Sequence, residues 1–178
     1  MENQRVYSKS QTSMDRSAIL NNLEKIGSWK ITIHSSLQGV WKILNDSSNM
    51  AIWGRSFVKH TTAGKEYLGA VRNCELQMGN KIGKVKEETI IYKPTSEIFW
   101  KMKEDNLGMK NIMNEFVFGF TTKSIDCQIT EVQFEQYYRP SNIFKRLLVK
   151  LMMKPKMGKT NKVLLQDLKR LIEKGQVV

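Results

Sequence analysis

Two oppositely charged residues, Arg72 and Glu87, fall on what should be the apolar face of a hairpin, and they are the first groups here that could do chemistry. The placement follows from Gly79-Asn80, a two-residue turn signal between two alternating runs. If Met78 pairs with Lys81, then Leu76 faces Gly83, Cys74 faces Val85, Arg72 faces Glu87 and Ala70 faces Thr89. One face then carries Leu68, Ala70, Arg72, Cys74, Leu76 and Met78, with Val85, Glu87, Thr89 and Ile91 opposite. The other carries Asn73, Glu75, Gln77, Lys84, Lys86 and Glu88, and must be the wet one. A charge taken out of water is costly unless paired, so Arg72 and Glu87 are expected to meet. Such a pair either closes the sheet as a cross-strand ion pair or supplies the polar end of a ligand site. In the second case it would hold a carbonyl or carboxylate, or Glu87 would act as a general base, kept ionised by Arg72.

Other reactive groups point nowhere so definite. Tyr92, Tyr138 and His60 are weaker acid–base candidates, and His34 with His60 makes no metal site. No HExxH, GxSxG, P-loop or dinucleotide fingerprint is present. Cys74 and Cys127 are far apart and fit no ligand spacing, so reduced thiols in a cytoplasmic protein are expected. The sequence gives reason to expect neither a metal nor a cofactor.

The elements that must position the pair can be read from periodicity. At 178 residues the chain suits one domain, expected over 17–178 behind a flexible tail at 1–16. Ile19, Leu20, Leu23 and Ile26 have helical spacing, stopping at Gly27. Trp29, Ile31 and Ile33 alternate as a strand, and Ser35 or Ser36 can cap a helix through Val40, Trp41, Ile43 and Leu44. Asp46-Ser47-Ser48 interrupts that helix, and a second short turn of helix runs to Trp53. From Gly54 the period is two, giving strands near 55–62, 67–78, 81–92, 95–104, 110–121 and 127–138, with connections short enough for antiparallel neighbours. The rest is helical to about Lys174, with a kink or break expected at Pro155 and Gly158. Its apolar stripe is split, because Phe144, Leu147, Leu148 and Leu151 lie about 110° from the stripe centred on Leu164 to Ile172, at roughly 100° per residue.

The pattern predicts an α+β domain in which a curved antiparallel sheet wraps the C-terminal helix. A sheet face with Trp100, Phe116, Phe118, Phe134 and Asn114 cannot stay exposed, and only that helix is long enough to cover it. A strongly curved sheet closed by one helix leaves space between them, and ligand pockets are concave and mostly apolar. The candidate ligand-binding set is therefore Arg72, Glu87, Cys74, Leu76, Met78, Thr89, Trp100, Asn114, Phe116, Phe118 and Phe134. Asn106-Leu107-Gly108 and the final helix would gate entry.

Charge and hydropathy narrow the partners. No run reaches the ~18 apolar residues needed to span a bilayer, and Met1 to Arg16 lacks a signal-peptide core, so a soluble protein is expected. Of the net charge of +12, nine units lie from Arg139 onward, where eleven Lys and Arg meet only Asp167 and Glu173. That block is either the solvated back of an amphipathic helix or a patch for an anionic membrane. Nucleic-acid binding is disfavoured, because the aromatics are committed to the interior rather than interleaved with the basic face.

In its order of motifs the chain resembles the START-related helix-grip superfamily, SRPBCC, and within it the polyketide cyclase/dehydrase and lipid-transport-like branch. The likeness runs from about Trp29 to Lys174. It is carried by Val40 to Asp46 followed by Trp53, by Gly69-Ala70-Val71-Arg72, Val85-Lys86-Glu87-Glu88 and Ile98-Phe99-Trp100, by the strand ending Tyr138-Arg139-Pro140, and by Leu168-Lys169. The resemblance implies a helix-grip fold of order β-α-α-β6-α with a cavity between the sheet and the last helix. It implies binding or transport of a hydrophobic small molecule or lipid, or a cyclase/dehydrase-like reaction for which Glu87 and Arg72 are the candidates. The region before Trp29 and the basic final helix lie outside the shared pattern.

Overall fold

Period-two hydrophobicity, broken by short turns, folds this chain into one seven-stranded antiparallel sheet. The computed structural model describes residues 15–62 and 64–175. The strands are β1 (Glu24–Ile33), β2 (Val58–Thr61), β3 (Val71–Met78), β4 (Lys81–Lys93), β5 (Glu97–Asp105), β6 (Met113–Ser124) and β7 (Thr130–Pro140). Their spatial order is β1-β7-β6-β5-β4-β3-β2, so every neighbouring pair but β1–β7 is also consecutive in sequence. The helices are α1 (Arg16–Leu20), α2 (Leu37–Leu44), α3 (Met50–Trp53), α4 (Met109–Ile112), α5 (Ile143–Leu148) and α6 (Lys154–Lys174). Ser36 caps α2 by accepting from the Gly39 amide at 3.2 Å. The expected α+β helix-grip architecture is thus the one observed. Among the described residues no helix is long and apolar enough to cross a membrane.

The core lies between the concave side of the sheet and α2, α3 and α6. Trp53, Trp100, Phe118, Phe120 and Phe134 interlock there, with Phe120 and Phe134 4.7 Å apart between ring centroids. Leu164, Leu165 and Leu168 are the buried stripe of α6. A second, smaller cluster of Ile91, Phe99, Val117 and Tyr137 lies apart from it, covered by Ile19, Leu20 and Leu23 around α1.

Several boundaries differ from the expectation. The predicted helix over 17–26 is only the five residues of α1, and β1 begins at Glu24. Gly27, which looked like a helix stop, instead follows a bulge in β1, where a Cβ would meet the Trp29 ring at 2.5 Å. Of the expected tail, residues 1–14 lie outside the described residues, while Asp15 caps α1 and Arg16 pairs with Glu135. The break in the terminal helix comes before Pro155, as a widened π turn over Val149–Met153. Pro155 then follows directly, in the first turn of α6. Gly158 continues the helix.

Bulges explain two inverted side chains. One between Thr89 and Ile91 turns Ile91 from the concave face to the outer cluster. Another between Met113 and Glu115 turns Met113 inward and Asn114 outward. An extra residue reverses the inside–outside assignment on one side of it relative to the other.

Gly119 and Gly158 give a paired test of this packing. A Cβ at Gly119 would sit 2.2 Å from the Ile98 carbonyl oxygen and 2.6 Å from the Phe99 Cα, which are backbone atoms that cannot step aside. Gly119→Ala should cost about 1–3 kcal/mol or more in urea unfolding. At Gly158 the nearest atom is 3.6 Å away, so Gly158→Ala should be neutral or gain up to ~1 kcal/mol of helix propensity.

Candidate functional site

The hairpin of β3 and β4 has the register that Gly79-Asn80 implies, with Arg72 opposite Glu87 and Cys74 opposite Val85. Arg72 and Glu87 are 2% and 3% exposed, so the ion pair is inside the protein. Arg72 Nε donates to Glu87 Oε2 at 2.7 Å, and its Nη1 donates to Ser47 Oγ at 2.8 Å and Glu66 Oε1 at 3.3 Å. The guanidinium lies over the Trp100 ring, 4.0 Å from its centroid. The Cys74 thiol donates to Glu87 Oε2 at 3.6 Å, and the Thr89 hydroxyl donates to Glu66. One guanidinium therefore faces two carboxyl groups in a dry setting. Burial works against the Arg72 charge, but Glu87, Cys74 and Glu66 outweigh it and raise its pKa above the ordinary arginine value. Burial, reinforced by Glu87, pushes the Cys74 thiol up to about 12.

Glu66 and Ser47 were not among the residues picked out by alternation, because both lie in connections. The loop at 64–66 is stitched to the end of α2: Ser47 N donates to the Gly64 carbonyl at 3.0 Å and Glu66 N to the Asn45 carbonyl at 2.9 Å. Asp46 holds the turn by accepting from Ser48 N at 2.9 Å. The interruption Asp46-Ser47-Ser48 thus delivers a hydroxyl to Arg72.

Beside this network lies a cavity of about 520 Å³ between the concave sheet and α6. Of the candidate residues, Leu76, Met78, Glu87, Phe116, Phe118 and Phe134 line it. Arg72, Cys74, Thr89 and Trp100 do not; they are buried, Arg72 and Cys74 bonding Glu87, Thr89 bonding Glu66 and Trp100 lying under the Arg72 guanidinium. Asn114 is exposed and accepts from Ser141 Oγ at 2.9 Å, so its expected place in the chamber is corrected by the β6 bulge. Met50, Trp53, Phe57, Met109, Met157 and Leu164 complete the apolar wall. Gln136 and Asn161 add a second polar point, with Asn161 Nδ2 donating to Gln136 Oε1 at 2.8 Å. Gln136 was legible, since it shares the parity of Phe134 and Tyr138. Exposed wall residues, namely Ser56, Met78, Gly79 and Lys156, mark the mouth between the β3–β4 hairpin tip and the start of α6. The expected gate at Asn106-Leu107-Gly108 is tied down instead: Asn106 accepts from Lys84 N at 2.7 Å, and Leu107 would lie 2.4 Å from a Cβ at Gly83.

The chemistry available is therefore one carboxylate, Glu87, presented to a mostly apolar chamber with an arginine at its back, and one amide pair elsewhere on the wall, with Ser56, Gln77, Lys156 and Thr160 as the other polar wall residues. Among the described residues no group of His, Cys, Asp and Glu could hold a metal.

Arg72→Met should cost about 3–5 kcal/mol in urea unfolding, since Glu66 and Glu87 would keep their burial without their cation. Adding Glu66→Gln and Glu87→Gln should recover part of that loss; a single-variant cost below ~1 kcal/mol would contradict the network. The raised Cys74 pKa acts on the alkaline side. Below pH 9.0 the thiol is neutral in both states; between 9.0 and about 12 only the unfolded chain ionises it, so stability falls as pH rises. Cys74→Ala should flatten that decline by up to ~1.4 kcal/mol per pH unit in the window.

Comparison with known proteins agrees with this geometry. Residues 28–173 match the model of the family described as polyketide cyclase / dehydrase and lipid transport. No curated protein sequence matches the chain. Among solved structures, Zhui aromatase/cyclase from a Streptomyces species superposes with a TM-score of 0.65 at 12% identity, over 88% of this chain and 99% of that one. Major latex-like protein 151 of Panax ginseng gives 0.66 at 12% identity, over 83% and 96%. A START superfamily protein of Mycobacterium smegmatis gives 0.66 at 13%, over 84% and 98%. At such identities the likeness is one of fold. With its curved sheet, terminal helix and matched residues, this chain belongs to the polyketide cyclase/dehydrase and lipid transport family, within the START-related SRPBCC superfamily.

Proposed function

We propose that the chain binds or carries a hydrophobic small molecule or lipid in the chamber between the sheet and α6. The observation that carries this reading is the cavity itself: about 520 Å³, walled by Phe116, Phe118, Phe134, Leu76, Leu164 and six other methionine, tryptophan or phenylalanine residues. That volume suits a small organic ligand, and the wall offers few polar partners. A mostly apolar molecule fits best, with one polar group able to reach Glu87 or the Gln136–Asn161 pair. A group that meets the Glu87 carboxylate is a donor such as a hydroxyl, or a carboxylic acid that keeps its proton. Cys74 and Cys127 are free thiols, which supports the cytoplasmic setting expected from the sequence.

A second reading is favoured by one observation, the contact of Glu87 with the chamber. Its Oε2 accepts from Arg72 and Cys74, while no described side chain donates to its Oε1, which can take a proton from a bound polyketone-like substrate. Loss of turnover of such a substrate in Glu87→Gln, with binding retained, is the result expected if this reading holds.

Native mass spectrometry of protein purified from cells tests the first reading. Adducts of apolar molecules should accompany the intact chain and disappear in Thr160→Trp, which places a ring in the chamber from a half-buried position on α6. Adducts that persist unchanged in a folded Thr160→Trp protein would mean that the ligand is held elsewhere.

A further inference from the structure

The terminal helical segment has two halves with opposite fates. In α6 the apolar stripe is buried, but in α5 and the π turn it faces solvent: Ile143 is 68% exposed, Phe144 81%, Leu147 56%, Leu151 66% and Met152 58%. These five, within ten consecutive residues, are nearly half of the twelve large hydrophobic residues exposed on the described chain, so they are not the ordinary scatter of surface carbon. Their display is built in. Asn142 caps α5 by accepting from Lys145 N at 2.9 Å, Val149 is buried, and Arg146 and Lys150 reach Glu24 of β1 at 2.8 and 3.6 Å. The segment is thus fastened by its inner side while its greasy side points outward.

Charge surrounds that face. Between Arg139 and Lys162 the sequence has eight Lys and Arg and no Asp or Glu. Among the described residues, no carboxylate pairs with Lys154, Lys156, Lys159 or Lys162; the ion pairs of this segment are those of Arg139, Arg146 and Lys150. From this we infer that α5 and the π turn form a docking surface for an anionic lipid bilayer, in which the apolar side chains enter the acyl boundary and the lysines meet headgroup phosphates. A second copy of the chain would bring two such basic segments face to face. A nucleic acid would match the charge but offer no burial for Ile143, Leu147, Leu151 and Met152. A bilayer satisfies both. The surface also adjoins the chamber's mouth, since Lys156 and Met157, a few residues beyond Met152, are part of its wall. The inference stands without the ligand reading, but the two together describe a carrier that loads at a membrane.

Vesicle flotation with the full chain tests this, using phosphatidylcholine vesicles with and without phosphatidylserine. The protein should float with the anionic vesicles and be released by salt. Phe144→Ser combined with Leu147→Ser should weaken that binding about tenfold or more, whereas Ile125→Ser, at a residue of the β6–β7 turn as exposed as Leu147, should leave it unchanged. Both altered sites are on the surface, so unchanged thermal melts will show that the fold is intact. Absence of flotation at low salt, or flotation indifferent to the double substitution, would overturn the inference. So would a Phe144-dependent dimer in sedimentation, which would give the face to a second copy. Adducts retained by the double variant in native mass spectrometry would separate this outcome from that of the chamber.

Discussion

Arg72 is a fully buried cation, and much of the site exists in the form that makes it tolerable. It is held by Glu87 across the hairpin, by Glu66 from a loop, by Ser47 from the turn after α2, and by the Trp100 ring beneath it. Burying a guanidinium costs several kcal/mol unless its partners are good, so segments distant in sequence are bound to a common geometry. β4, the 64–66 loop, the turn at Ser47 and β5 all converge on one side chain. The chamber's only carboxylate among its described wall residues, Glu87, is thereby fixed in position and charge environment.

That arrangement separates support from contact. Arg72, Cys74, Thr89 and Trp100 lie behind the wall, and what a ligand would meet is Glu87 within an aromatic and methionine-rich surface. Rings such as Phe118 and Phe134, 6.2 Å apart between centroids, are packed firmly enough to shape a chamber. Met50, Met78, Met109 and Met157 add walls that can adjust to shape. Family membership is consistent with this division, since it conveys a scaffold and leaves selectivity to the residues that reach the interior.

What the sequence disclosed, and what it hid, follows from which physical signals are local. The register that joins Arg72 to Glu87 was legible because a two-residue turn fixes a hairpin by arithmetic. Asn114 and Ile91 were misplaced because alternation has no signal for a bulge. Glu66 and Ser47 were invisible because loop residues have no period, and only the three-dimensional course of the chain brings them to Arg72. The split apolar stripe of the final helix was plain in the sequence. Its meaning emerges only with the fold, where one half packs on the core and the other does not. Charge counting located the basic segment, and only the fold shows that Phe144 and its neighbours stand exposed beside it.

On the proposed function, the space between sheet and α6 receives an apolar molecule whose polar end meets Glu87 or Gln136. An electron-density map of the protein, crystallised without removing lipids, addresses this most directly. Continuous density between Phe116, Phe118, Phe134 and Leu164, with one end at hydrogen-bond distance from Glu87 or Gln136, is the expected result. A chamber closed by its own side chains, or filled by hydrogen-bonded water throughout, would contradict it.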